Sequence, residues 1–257
     1  MPRWPGSIVP AILVVVLLTE GDALAQRVTP SDLFRIEVFK PEFESADYAL
    51  PTSALFLTLR QSVEGPVSVE LKIPFGYVRE DGSTGSDWEF RPGNPYIGLS
   101  WGSTEKPAEL GFGLRAPILP NDAMVRIMQI ADIHQFEAFT PDLWNFSVHS
   151  IVGGDSGAAQ ARSGLNLWIP LHGGVQLVSN YSLTLRRRLV NLLAGLQIRG
   201  RAGLTSGDVV YGERTMHEAG LILEFPTAKV RPGFVIRTPI QGREVVDWVF
   251  GVTLDFE

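Results

Sequence analysis

Apolar and polar residues alternate with a period of two along most of this chain, the repeat of a strand with unlike faces. From position 67 one face reads Val67, Val69, Leu71, Ile73, Phe75 and Tyr77, and the other reads Ser68, Glu70, Lys72, Pro74 and Gly76. Leu110, Phe112, Leu114, Ala116 and Ile118 likewise oppose Gly111, Gly113 and Arg115. The last run sets Val246, Trp248, Phe250, Val252, Leu254 and Phe256 against Asp247, Val249, Gly251, Thr253 and Asp255. These runs have the length of a tilted strand crossing a bilayer and exceed the usual soluble strand. About twelve such segments follow one another, near 33–40, 54–63, 66–79, 95–103, 108–118, 143–153, 162–171, 174–187, 191–202, 217–226, 229–239 and 244–256.

The connections carry a second, independent signal. Outer-membrane barrels alternate short periplasmic turns with longer outer loops. With the N-terminus inside, the outer connections 41–53, 80–94, 119–142 and 202–216 are long and polar. The inner ones at 64–65, 103–107, 188–189 and 227–228 are short. The turn at 172–173 and the connection 154–161 depart from this alternation. In the third outer connection, Asn121 or Asp122 can cap a short helix carrying Met124, Ile127, Met128 and Ala131 at helical spacing. Such a loop either folds inward and narrows a pore or rests on the rim as a cap.

Charge sharpens the assignment of faces. Arg35, Glu37, Arg60, Glu70, Lys72, Glu109, Arg115, Arg186, Arg199, Arg201, Glu218, Glu224, Arg231, Arg237, Asp247 and Asp255 all fall on the polar faces. In hydrocarbon every backbone polar group must bond internally, so strands survive only in a closed barrel whose apolar faces meet lipid. A soluble sandwich also alternates, with its apolar faces meeting in a core. It has no need for strands this long or for aromatic girdles, and Tyr77, Tyr96, Trp101, Trp144, Tyr181 and Trp248 lie near segment ends. The reading is therefore an all-β, closed antiparallel transmembrane β-barrel of about twelve strands, with a short helix in one outer loop.

The N-terminus reads as a secretory signal. Arg3 gives a positive start, the stretch 8–18 is apolar, and Ala23-Leu24-Ala25 forms a small-x-small cleavage site before Gln26. Residues 1–25 are set aside, and 26–257 is read as one barrel domain of the bacterial outer membrane. The implied partners are outer-membrane lipid, the barrel-assembly machinery and a small-molecule solute. A net charge of −6 gives no support for nucleic acid, and the absence of cysteine excludes disulfides and thiolate metal sites. The four histidines form no ligand cluster, and no phosphate loop is present, so no metal or other cofactor is implied.

The segments Gly93-Asn94-Pro95-Tyr96-Ile97-Gly98-Leu99-Ser100-Trp101 and Ala108-Glu109-Leu110-Gly111-Phe112-Gly113-Leu114-Arg115 resemble the outer-membrane transporter family linked to the meta-pathway of phenol degradation. The resemblance implies a barrel and a transport role, and it carries over no functional residue. The closing run also resembles the terminal strand of outer-membrane proteins, which ends in an aromatic recognised during assembly. Here Phe256 is followed by Glu257.

Three kinds of chemistry compete for the lumen. Arg115, Arg199, Arg201, Arg231 and Arg237 can line an eyelet that attracts anionic solutes. Alternatively they pair with Glu218, Glu224 and Asp247 on neighbouring strands and close the passage. Ser147 and His149 share a face, so a nucleophile–base pair of an outer-membrane lipid hydrolase is a further reading, although that face is the lumen. The string Gly154-Asp155-Ser156-Gly157 matches trypsin-like proteases, yet His134 and His149 lack the protease context, and a glycine-rich turn accounts for it. A passive channel for small solutes is the leading function. The alternatives are the hydrolase and a soluble secreted β-sandwich that binds a ligand.

Overall fold

The computed structural model describes residues 32–43, 52–82, 85–102, 108–119, 128–153, 158–205, 215–225, 230–240 and 246–256. The proposed signal segment, the proposed helix start at 121–127 and the Gly-Asp-Ser-Gly string lie outside them.

Thirteen strands form a single antiparallel sheet: β1 (Leu33–Glu42), β2 (Thr52–Glu64), β3 (Val67–Gly82), β4 (Gly85–Pro92), β5 (Tyr96–Gly102), β6 (Ala108–Arg115), β7 (Leu143–Val152), β8 (Ala159–Pro170), β9 (Gln176–Leu189), β10 (Leu192–Gly203), β11 (Thr215–Glu224), β12 (Val230–Pro239) and β13 (Trp248–Phe256). Consecutive strands pair around the ring except β4 and β5, and β1 closes it by pairing with both β2 and β13. Among the described residues every strand but β4, which pairs with β3 alone, is then paired on both sides, as a wall in hydrocarbon requires.

The ring has twelve positions because β4 and β5 share one. β3 pairs with β5 over Val67 to Lys72 and with β4 over Phe75 to Gly82. The segment 80–94, read from sequence as a loop, thus contains the returning arm of a hairpin that lengthens the wall. The break between the two arms falls at Gly93, Asn94 and Pro95.

Alternation decides which residues face out. Along β5 the pattern is strictly buried and exposed in turn, with Ile97, Leu99 and Trp101 outside. Phe112, Phe146, Leu165, Leu196, Leu221, Phe234 and Phe250 continue an exposed apolar belt around the ring. No helix among the described residues is long and apolar enough to cross a membrane. A belt of this extent on a closed barrel is what contact with hydrocarbon requires, and a soluble surface would not carry it. Leu99 sits in the middle of its strand and is half-exposed. Leu99→Arg is expected to cost about 2–4 kcal/mol in a bilayer. The check is the yield of heat-modifiable, folded protein in lipid vesicles, against little change for a lumen substitution such as Ser147→Ala.

Two positions depart from the sequence-based faces. Tyr96 is not in an outer girdle. It points into the lumen, in phase with Gly98, and its ring lies over Gly98 and Gly113, where an added Cβ would clash. At the start of the last run, Val246 is buried and Asp247 occupies a bend, so the alternation begins only at Trp248.

Candidate functional site

The connection between β6 and β7 fixes the character of the lumen. It turns inward and fills the end of the barrel that carries the long connections. Two short 3-10 turns, Gln129–Ala131 and Phe136–Phe139, are buried throughout. The described part of this loop thus contains tight 3-10 turns where an α-helix was expected to continue. Met128, Ile130, Ala131, Ala138 and Phe139 pack against Phe39, Ala54, Phe56, Val246 and Val249 of the wall. Phe136 packs on Leu143, Trp168 and Val178. This end of the lumen is therefore filled by apolar packing, and the segment 128–142 is a plug.

The seat of the plug is the break between β4 and β5. A Cβ on Gly93 would lie 2.5 Å from the Ala138 carbonyl, so only glycine lets the plug backbone come this close. Asn94, fully buried, ties the plug to the chain that leaves β6. Its Nδ2 donates to the carbonyls of Glu137 (3.1 Å) and Thr140 (2.6 Å). Its Oδ1 accepts from the backbone N–H groups of Ile118 (2.9 Å) and Leu119 (3.0 Å). Asn94→Ala leaves four backbone groups without this partner, two of them in buried bonds and two in part-buried ones. The expected cost is about 2–4 kcal/mol of plug docking, read as faster amide exchange at 128–142 with the barrel still heat-modifiable.

Charge locks the plug to the wall. Asp132 bonds Arg199 and lies 3.5 Å from Arg237, while Glu218 lies 3.8 Å from Arg199 and 3.4 Å from Arg237. Arg201 donates to Glu137 Oε1 and to the Ile133 carbonyl, both at 2.9 Å, and its guanidinium lies over the rings of Phe136 and Trp168. Trp168 Nε1 donates to the same Glu137 oxygen at 3.0 Å. Burial raises the Asp132 carboxyl, but the Arg199 guanidinium, His134 and the hydrogen bonds from both together outweigh it and hold the group below its ordinary range. Burial, then Arg199, push His134 well below the ordinary imidazole value, so it is neutral at neutral pH.

Beneath the plug lies a cavity of about 320 Å³. The structure places the sequence-based lumen candidates as follows. Arg199, Arg237 and Glu218 come together around Asp132, and Arg201 meets Glu137. Arg115 donates to the Asn94 carbonyl at 2.6 Å and lies over the Tyr96 ring. Arg231 and Glu224 line the cavity, where Glu224 lies 3.6 Å from Arg186. Asp247 is not brought to this cluster, because it precedes β13 and its backbone N–H bonds the Glu42 carbonyl at the rim. Arg199 and Arg201 thus find their main acidic partners, Asp132 and Glu137, in the loop, while Arg237 lies between Asp132 and Glu218 of β11.

No protein-family model matches the chain, and no curated protein does. Solved structures of outer-membrane proteins share the architecture, two of them as follows. A NanC porin aligns with a TM-score of 0.53 and 6% identity, over 88% of this chain and 100% of the porin. An outer-membrane channel from Pseudomonas putida F1 aligns with a TM-score of 0.55 and 11% identity, over 92% of this chain and 99% of the channel. The fold is that of outer-membrane β-barrels. At these identities the likeness extends to the fold alone.

Sequence reasoning missed Asn94, Asp132, Glu137 and Trp168. Asp132 and Glu137 stand out only as acids set among Ile130, Ile133, Phe136 and Phe139, a pattern unlike a solvated loop. The pair Ser147 and His149 does face the lumen and lines the cavity. Ser147 Oγ donates to the Gly113 carbonyl at 3.5 Å, and the site faces away from lipid. That placement does not suit chemistry on bilayer lipid.

Proposed function

We propose that this chain is a bacterial outer-membrane channel for small hydrophilic solutes, held shut by its own plug. The observation that carries the reading is a closed, apolar-belted barrel with a polar cavity blocked at one end by a segment tied through buried ion pairs. A barrel filled only for stability has no need of a cavity lined by charge, and apolar side chains would fill it at lower cost. The long connections then face outward, and the plug guards the outer mouth. A cleaved signal at 1–25, a single barrel domain over 26–257 and insertion by the assembly machinery through the strand ending in Phe256 complete this reading. The segments 93–101 and 108–115 support membership of the transporter family linked to phenol degradation.

Planar-bilayer recording tests the reading. Wild type is expected to show small or rare openings, and variants with a broken plug lock are expected to show large, frequent ones. A barrel that stays silent in both forms, and passes no solute in vesicle swelling, would overturn it.

A further inference from the structure

Below the plug, three strands present a polar surface with a gap at its centre. Strand register sets His149, Gly164 and Asn180 in one row across β7, β8 and β9. The row above is Ser147, Asn166 and Val178, and the row below is Ile151, Arg162 and Ser182. All but Val178 line the cavity. With strands about 4.8 Å apart and same-face residues about 6.8 Å apart, the surface measures about 10 Å by 14 Å. Gly164 contributes no side chain, so the middle of this surface is a notch.

Two observations say what fits the notch. The first is charge. No carboxylate among the described residues lies within ion-pair distance of Arg162. Glu70, which it faces through space, is bonded to Lys72 at 3.1 Å. The cavity as a whole is lined by nine basic and seven acidic side chains, so it favours an anion although the chain is net negative. The second is hydrogen bonding. The Oδ1 atoms of Asn180 and Asn145 are buried and accept no hydrogen bond from the protein, and both residues line the same cavity. Asn145 Nδ2 meanwhile donates to Asn166 Oδ1 at 3.2 Å, which fixes the amide row in place. Buried amide oxygens without donors call for hydroxyl groups.

From this we infer that the notch at Gly164 binds a small hydroxylated carboxylate, such as a hydroxy acid or sugar acid. The carboxylate sits on Arg162, and the hydroxyls donate to the amide row of Asn180, Asn166 and Asn145. The inference names the solute class of the channel proposed above and rests on that reading for its physiological meaning. Binding itself requires no conduction.

The test uses the full chain folded in detergent, with gluconate as probe and the temperature of the heat-modifiable gel shift as readout. Glucose, acetate and sulfate at matched ionic strength are the controls. Gluconate is expected to raise the unfolding temperature in a saturable way, more than any control. Arg162→Gln is expected to weaken binding on the order of tenfold or more, as loss of a charge-assisted contact does. Gly164→Val is expected to do the same by filling the notch. A Cβ at Gly164 meets only ordinary contacts, 3.4 Å to the Val148 carbonyl and 3.5 Å to His149, so this variant is expected to keep its fold. The inference is overturned if gluconate gives no shift, if sulfate gives the same shift, or if both variants bind gluconate as wild type does. Gluconate binding in a barrel that never conducts would overturn the channel and leave this site standing. Conduction without gluconate binding would do the reverse.

Discussion

Glu137→Gln is expected to release the plug and raise the conductance of the barrel by an order of magnitude or more. Arg201 is 1% exposed, and Glu137 carries the charge that it pairs with at 2.9 Å. The substitution keeps an oxygen for Trp168 Nε1 and the volume of the side chain, and it removes only the negative charge. A guanidinium buried without a counter-charge costs about 3–5 kcal/mol. The docked plug must bear that cost, whereas a released plug lets water reach Arg201. The docked population therefore falls, and the outer half of the lumen opens. Arg201→Met combined with Glu137→Gln supplies the control. With no charge left to compensate, the plug is expected to dock again and conductance to return towards wild type. Single-channel recording on the two variants and wild type checks both halves of the argument. Equal conductance in all three would show that the ion pair does not hold the plug.

Acidification is expected to loosen the plug well before Asp132 titrates, and His134 is the reason. The Asp132 carboxyl is held below its ordinary value when docked. Its contribution is present above the released value of 3.8 and is lost only as pH falls through the lower docked value. His134 is a base whose docked value lies well below the released value of 6.5. Below pH 6.5 the released plug takes up a proton that the docked plug refuses, so docking weakens as pH falls. Each pH unit in that window weakens docking by at most about tenfold, until the docked imidazole itself protonates. The groups around the ring fit this sign. Arg199, Arg162 and Arg201 oppose a positive charge on the ring, against Asp132 and the Tyr181 carbonyl, which favour it. The protection of amides at 128–142, taken relative to their intrinsic exchange rate at each pH, is expected to fall between pH 7 and pH 5 in wild type. His134→Asn is expected to flatten that dependence. A wild-type profile that changes only below pH 4 would assign the response to carboxylates instead.

Both effects depend on residues of one loop, and this loop marks the limit of what the sequence discloses. Period-two alternation makes the wall legible, because each strand solves the same local problem of apolar side chains outward and polar side chains inward. A one-residue slip would expose Arg199 or Arg237 to lipid, so the register of β10 and β12 is fixed by the chain itself. The lumen positions of Arg115, Arg199, Arg201 and Arg237 follow from the same parity. Exceptions arise where a local rule yields to a neighbour, as with Tyr96, drawn inward over two glycines of adjacent strands.

The amino-acid sequence by itself determined the twelve-position wall, most of its faces and the closure of the barrel, though not β4 or the inward turn of Tyr96, since the wall follows from neighbours one or two residues apart and from the cost of an unpaired backbone in hydrocarbon. Only the tertiary structure decided that the third loop turns inward, that Asn94 seats it and that Asp132 and Glu137 are the partners of the arginines. Those contacts join residues separated by 24 to 105 positions. Their pairing has no local period, because it depends on a shape that exists only after the ring has closed.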